Sequence, residues 1–162
     1  MTPEEEKYIH FVSSIKNLNN ARKILLEIKG QPDNSLLVPA FKFSMIEYSK
    51  PYKKSRGAHK KTKHQLSDRY VPIEYSKLHQ RIIKTRDQLL AHSDISILDA
   101  LVHVITIKNK TSVNYSTNII DETEELGNIN EIIDLIEKTL ENMYNDLDTL
   151  KEEIALEHKS KK

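Results

Sequence analysis

The sequence predicts a mainly α fold, a bundle of about four helices with a β-hairpin inserted before the last helix. Three observations lead there. Apolar residues recur at three- and four-residue steps in four separate stretches, the helical signature. Helix-start residues stand at the head of several of them. One intervening stretch, from Leu101 to about Ile120, is instead β-branched and alternating. With 162 residues, of which 38% are hydrophobic, the chain suits one core and is too short to expect two. The expected organisation is a single domain over residues 1–157 and a frayed tail over 158–162.

The first helix opens at Thr2-Pro3-Glu4-Glu5. Thr2 is an N-cap, Pro3 sits at N1 where its missing N–H costs nothing, and Glu5 at N3 completes a capping box. Tyr8, Phe11, Val12, Ile15, Leu18, Leu25 and Ile28 form its apolar stripe, which Gly30-Gln31-Pro32 stops. Asp33-Asn34-Ser35 offers the next cap, and the second helix is expected from about Ser35 to Ser49, with Pro39 confined to the first turn. Pro72 opens the third helix, whose face carries Tyr75, Leu78, Ile82 and Leu89, with Ile83 and Leu90 beside them. The hairpin turns near Asn109-Lys110. Asn128 with Glu131 then begins the last helix, where Ile129, Ile133, Ile136, Leu140, Met143, Leu147, Leu150 and Ile154 step regularly while the other faces are acidic.

Residues 50–70 read as a long basic loop. Seven of its cations, Lys50, Lys53, Lys54, Arg56, Lys60, Lys61 and Lys63, fall before His64 with no acid among them. The whole chain has a net charge of only +1, so the remainder is net negative and the charge is polarised. Such an arm, with Tyr52 and Tyr70 nearby, suits RNA, its cations meeting phosphates and its rings stacking on bases. A solvated surface loop is the alternative.

Several function classes drop out. There is no cysteine, hence no disulfide, thiolate metal site or cysteine nucleophile. Three scattered glycines make no phosphate loop, and Gly-x-Ser-x-Gly is absent. His59 and His64 lie among cations that repel a metal ion, and no His-x-x-x-His or Glu-x-x-His pair presents ligands on one helix face. Neither a metal nor a cofactor is expected. The acidic start lacks the regions of a secretory signal, and no apolar run approaches the ~20 residues needed to span a bilayer. The expectation is a soluble, cytoplasmic protein without a membrane partner.

Arg86 and His92 remain, near the end of the third helix. An always-charged guanidinium and an imidazole that titrates near neutrality stand six residues apart. On an ideal helix that spacing places them ~120° apart, on either side of the stripe carrying Ile82 and Leu89. Within one chain they are poor partners, but a two-fold axis along the stripe would bring two of each into one cleft. The imidazole could take a proton from a 2′-hydroxyl while the guanidinium stabilises the pentavalent phosphate. A structural alternative stays open: Arg86 pairs with a carboxylate of the acidic last helix, and His92 caps the third helix.

Arg86-Asp87-Gln88-Leu89-Leu90-Ala91-His92-Ser93-Asp94 resembles the signature of the HEPN superfamily (higher eukaryotes and prokaryotes nucleotide-binding domains). That signature is an Arg, a polar residue, and a His after four to six intervening residues, here five with Asp87 in the polar slot. The resemblance implies a HEPN-like bundle whose homodimer joins two motifs, often as a metal-independent endoribonuclease leaving 2′,3′-cyclic phosphate ends in toxin–antitoxin, abortive-infection or other defence systems. Arg86 would then stabilise the phosphate, His92 act as general base or acid, and Asp87 orient one of them. A cognate antitoxin protein is a further implied partner. The hairpin and the basic arm depart from the simplest family pattern. Many members are non-catalytic, so a dimer that binds a protein, a nucleotide or RNA is the alternative.

Overall fold

The computed structural model describes residues 1–58, 62–90, 101–108, 110–116 and 124–160. Among these are four helices: α1 (Pro3–Ile28), α2 (Leu37–Ser49), α3 (Ser76–Leu90) and α4 (Ile129–Ser160). There are also two antiparallel pairs of strands, β1 (Ser55–Arg56) with β2 (Lys63–His64), and β3 (Leu101–Ile107) with β4 (Lys110–Ser116). The fold is mainly α with a hairpin before the last helix, as the periodicities predict.

The capping box of α1 is formed: Thr2 Oγ1 accepts from Glu5 N and Thr2 N donates to Glu5 Oε2. Helix α1 packs against both α2 and α4, and α2 against α3. Contacts from Glu5 to His158, Asn19 to Tyr144 and Arg22 to Glu137 run in opposite order along the two helices, so α1 and α4 are antiparallel. Leu18, Ala21 and Leu25 meet Phe41, Met45, Tyr48, Ile82, Ile132, Leu135, Ile136 and Met143 in a core closed to solvent. The buried stripe of α4 is wider than expected and includes Ile132 and Leu135. The helix continues to Ser160, past the point where the sequence suggests a tail.

Two helix starts differ from expectation. Helix α2 begins at Leu37; Asn34 Oδ1 accepts from Leu36 N at 2.9 Å, so the predicted cap forms a turn just outside the helix. Pro39 stays in the first turn, where it breaks no helical bond. Pro72 precedes a 3₁₀ turn, Ile73–Tyr75, and α3 starts only at Ser76.

The larger difference is in residues 50–70, read above as a long basic loop. Pro51, Tyr52, Leu66 and Tyr70 are buried, and the β1–β2 pair folds back on α1. Glu6 of α1 is itself buried, and its Oε2 accepts from Thr62 Oγ1 at 2.8 Å and His64 Nε2 at 3.0 Å. A Cβ on Gly57 would collide with Thr62 Oγ1 and Glu6 Oε2, so glycine is needed for this close approach.

The β3–β4 pair is exposed at every described position on both faces. Its register places Val102, Val104, Thr106, Thr111, Val113 and Tyr115 on one face. Ile107 pairs with Lys110, making the connection two residues long, and Lys108 adopts φ +46, the left-handed backbone that such tight turns require.

Gly57→Ala should loosen the β1–β2 arm while leaving the bundle folded. The expected result is faster amide exchange at Thr62 and His64 with little change at Leu18 and Ile136. By contrast Leu18→Ala, at a site with no exposure, should cost about 2–5 kcal/mol in urea unfolding.

Candidate functional site

Helix α3 positions the sequence motif. Leu78 and Ile82 anchor it in the core, and Arg86 follows one turn beyond Ile82. The Arg86 guanidinium is mostly covered. Its Nη1 donates to Asp87 Oδ1 at 3.0 Å, and its Nε is buried with no hydrogen-bond partner among the described residues. Asp87 Oδ2 accepts from Lys53 Nζ at 2.6 Å. Burial pushes the Asp87 pKa up, but the hydrogen bonds and charges of Lys53 and Arg86 outweigh it and hold the carboxyl below its usual range. The carboxylate is therefore ionised at neutral pH and bridges two cations. Among the described residues Arg86 pairs with its neighbour and not with a carboxylate of α4. His92 lies outside the described residues, so this alternative is settled for Arg86 alone.

Beneath Arg86 along α3 stands His79, two turns earlier on the same face, roughly 10.5 Å along the axis. It is only 2% exposed. Its Nδ1 lies 2.7 Å from the Tyr48 hydroxyl and its Nε2 3.5 Å from Asp68 Oδ1. With a carboxylate on the Nε2 side, the imidazole proton is assigned to Nε2 and the Tyr48 hydroxyl donates to Nδ1. The Tyr52 ring meets the same imidazole edge-on at 4.5 Å. Burial pushes both Tyr48 and Tyr52 well up, keeping their hydroxyls protonated, and the Tyr52 hydroxyl has no hydrogen-bond partner. Burial also pushes His79 down, more than Asp68 pulls it up. It is a neutral imidazole at pH 7.

The seven cations predicted to bind RNA do not form one group. Lys50 is tied to buried Glu47, and Lys53 to Asp87. Lys54, Arg56 and Lys63 are exposed, with Arg56 and Lys63 paired across the arm. Lys60 and Lys61 lie outside the described residues. Sequence reading did not single out His79, whose packing between Tyr48 and Tyr52 depends on contacts from another helix. Nor did it single out Glu6 and His10, although their four-residue spacing puts both on one face of α1. Among the described residues no group of three or more His, Asp or Glu could hold a metal ion, and no helix is long and apolar enough to cross a membrane.

A search of protein-family models finds no match to the chain, and neither a curated protein nor a solved structure matches it.

Because His79 is held neutral, the unfolded chain binds its proton more readily. Between the ordinary value of 6.5 and the lower folded value, stability should fall as pH falls. Urea midpoints measured from pH 7 down to about pH 5 should show this loss, and His79→Gln should reduce the slope. Tyr48→Phe leaves Nδ1 without its donor and should cost about 1–3 kcal/mol.

Proposed function

We propose that this chain is a metal-independent endoribonuclease of the HEPN type, acting as a toxin or abortive-infection component through a site shared by two copies. The observation that carries the proposal is the setting of Arg86. It stands at the end of α3, fixed through Nη1 by an ionised Asp87 that is itself held by Lys53, with Nε uncommitted. A guanidinium already oriented in a largely covered site stabilises developing phosphate charge with little reorganisation.

In this reading two α3 helices lie across a two-fold axis, and His92 of each copy enters the same cleft. One neutral His92 takes the proton of an RNA 2′-hydroxyl, and the oxygen attacks the adjacent phosphorus. The 5′-oxygen leaves with a proton from the other copy's His92, giving a 2′,3′-cyclic phosphate and a 5′-hydroxyl. Arg86 neutralises the pentavalent phosphorane, and Asp87 orients Arg86. The exposed Lys54, Arg56 and Lys63 supply backbone contacts, and a cognate antitoxin would mask the site.

A second reading, a non-catalytic HEPN-like dimer that binds a protein partner, a nucleotide or RNA, is favoured by the exposed apolar face of β3–β4. The two readings separate in one assay. Purified protein with EDTA should cleave single-stranded RNA; His92→Ala should lower the rate by about 10²–10⁴ and Arg86→Ala by about 10²–10³, with the dimer retained. Equal activity in His92→Ala and the parent protein would sink the catalytic reading. Neutralising Lys54, Arg56 and Lys63 together should flatten the salt dependence of RNA binding by roughly 0.7 in log–log slope per lost phosphate contact.

A further inference from the structure

Apart from Lys63, the cleft between the start of α1 and the returning strand of the arm plays no part in the reading above. Its volume is about 320 Å³, at the small end of the range for sites of small ligands. Lys7 and His10 reach it from α1, and Lys63 and His64 from the arm, over a floor that includes Phe11 and Tyr70. Both aromatic rings are buried and meet edge to face at 5.5 Å. No carboxylate lines the cleft. Arg69 on its rim is engaged by Asp146 at 2.5 Å, whereas Lys7 and Lys63 make no ion pair among the described residues.

The two imidazoles are arranged unlike ordinary surface histidines. Glu6 accepts from His64 Nε2 and so fixes that ring, and the collision awaiting any Cβ at Gly57 shows how closely the arm is pressed there. His10 stacks on His64 with ring centroids 5.5 Å apart and planes 26° apart. Among the described residues nothing bonds to either ring nitrogen of His10. Cations, two imidazoles and no acid over an apolar floor make a cleft whose field attracts a compact anion and whose donors await acceptor oxygens.

We propose that this cleft binds a phosphate group, with His10 and His64 donating to its oxygens and Lys7 and Lys63 supplying charge. Inorganic phosphate, the terminal phosphate of a nucleotide and a phosphate of RNA share the chemistry. With Nε2 committed to Glu6, His64 donates to the anion from Nδ1 as imidazolium. Burial and the neighbouring His64 push His10 below its ordinary value, and an anion reverses that bias. Lys7, Lys63 and Arg69 oppose protonation of His10, and Asp146 partly offsets Arg69. Binding therefore tightens as pH falls.

The test uses the intact chain and sulfate, a dianion that does not titrate over the range used. Sulfate should shift the ring resonances of His10 and His64 saturably, raise the titration midpoint of His10, and bind more tightly at pH 6 than at pH 8. His10→Gln should weaken binding about tenfold, and Lys7→Gln with Lys63→Gln by at least as much, while the thermal midpoint is retained. Inorganic phosphate, adenosine monophosphate and short RNAs with and without a 5′-phosphate then identify the source. A preference for the 5′-phosphorylated RNA assigns the site to a chain end, and equal binding of the two RNAs, lost in the same variants, assigns it to the internal backbone. Unmoved ring resonances in millimolar sulfate, or binding indifferent to all three substitutions, overturns the proposal. Because the probe is an anion alone, this outcome is separate from whether the protein cleaves RNA.

Discussion

The hydrogen bond between the Tyr48 hydroxyl and His79 Nδ1 is the constraint on which the functional end of the molecule depends. It joins α2 to α3 inside the core, at 2.7 Å, where an unpaired imidazole nitrogen would carry a full desolvation cost. Tyr52 packs its edge on the same ring and Asp68 faces the other nitrogen, so the imidazole is gripped from several elements. A helix is rigid over two turns. Fixing the rotation of α3 at His79 therefore also fixes the direction in which Arg86 leaves it.

The segment from Lys50 to Tyr70 completes that arrangement, because it is bonded to all four helices. Lys50 pairs with Glu47 of α2, Lys53 with Asp87 of α3, Thr62 and His64 with Glu6 of α1, and Tyr70 with Asp146 of α4, which also sends Asn142 to the Tyr70 carbonyl. What the composition presents as a basic loop is a strap across the bundle. Its cations divide accordingly. Those at the root pair with carboxylates of the body, and those on the strands face solvent, so the positive field stands off the bundle beside a site where one carboxylate, Asp87, is shared by Lys53 and Arg86. The same segment thus reaches Asp87 beside Arg86 and Glu6 beside His64.

The legible parts of the sequence were those governed by short-range rules. The α1 capping box spans four residues, the α4 stripe repeats every three or four, and the alternation of β3 and β4 is local; each produced its element. Arg86 was legible because its motif is contiguous, and its partner Asp87 is the next residue. The strap was not, because its four buried residues, Pro51, Tyr52, Leu66 and Tyr70, follow no period, and the carboxylate that organises it, Glu6, lies 56 and 58 residues away from Thr62 and His64. His79 was missed for the same reason: a histidine on an apolar helix face gives no local sign that Tyr48, 31 residues earlier, will meet it. The late start of α3 has a local cause, since Pro72 with extended backbone leads into a 3₁₀ turn before the α-helix begins.

The β3–β4 hairpin sets a different kind of constraint. Two strands alone are marginal in water, and the face of Val102, Val104, Val113 and Tyr115, bordered by Thr106 and Thr111, carries no charge, while the opposite face holds His103 and Lys110. Seven residues per strand span roughly 23 Å, and a two-stranded ribbon about 10 Å wide offers on the order of 230 Å² per face. That is far short of the ~800 Å² per partner of a stable interface. A dimer held by this face alone would be too weak, and one held by the narrow end of α3 alone would leave the ribbon uncovered. Under the dimer proposed here, the hairpin face and the end of α3 would each need area from a further surface to reach that size.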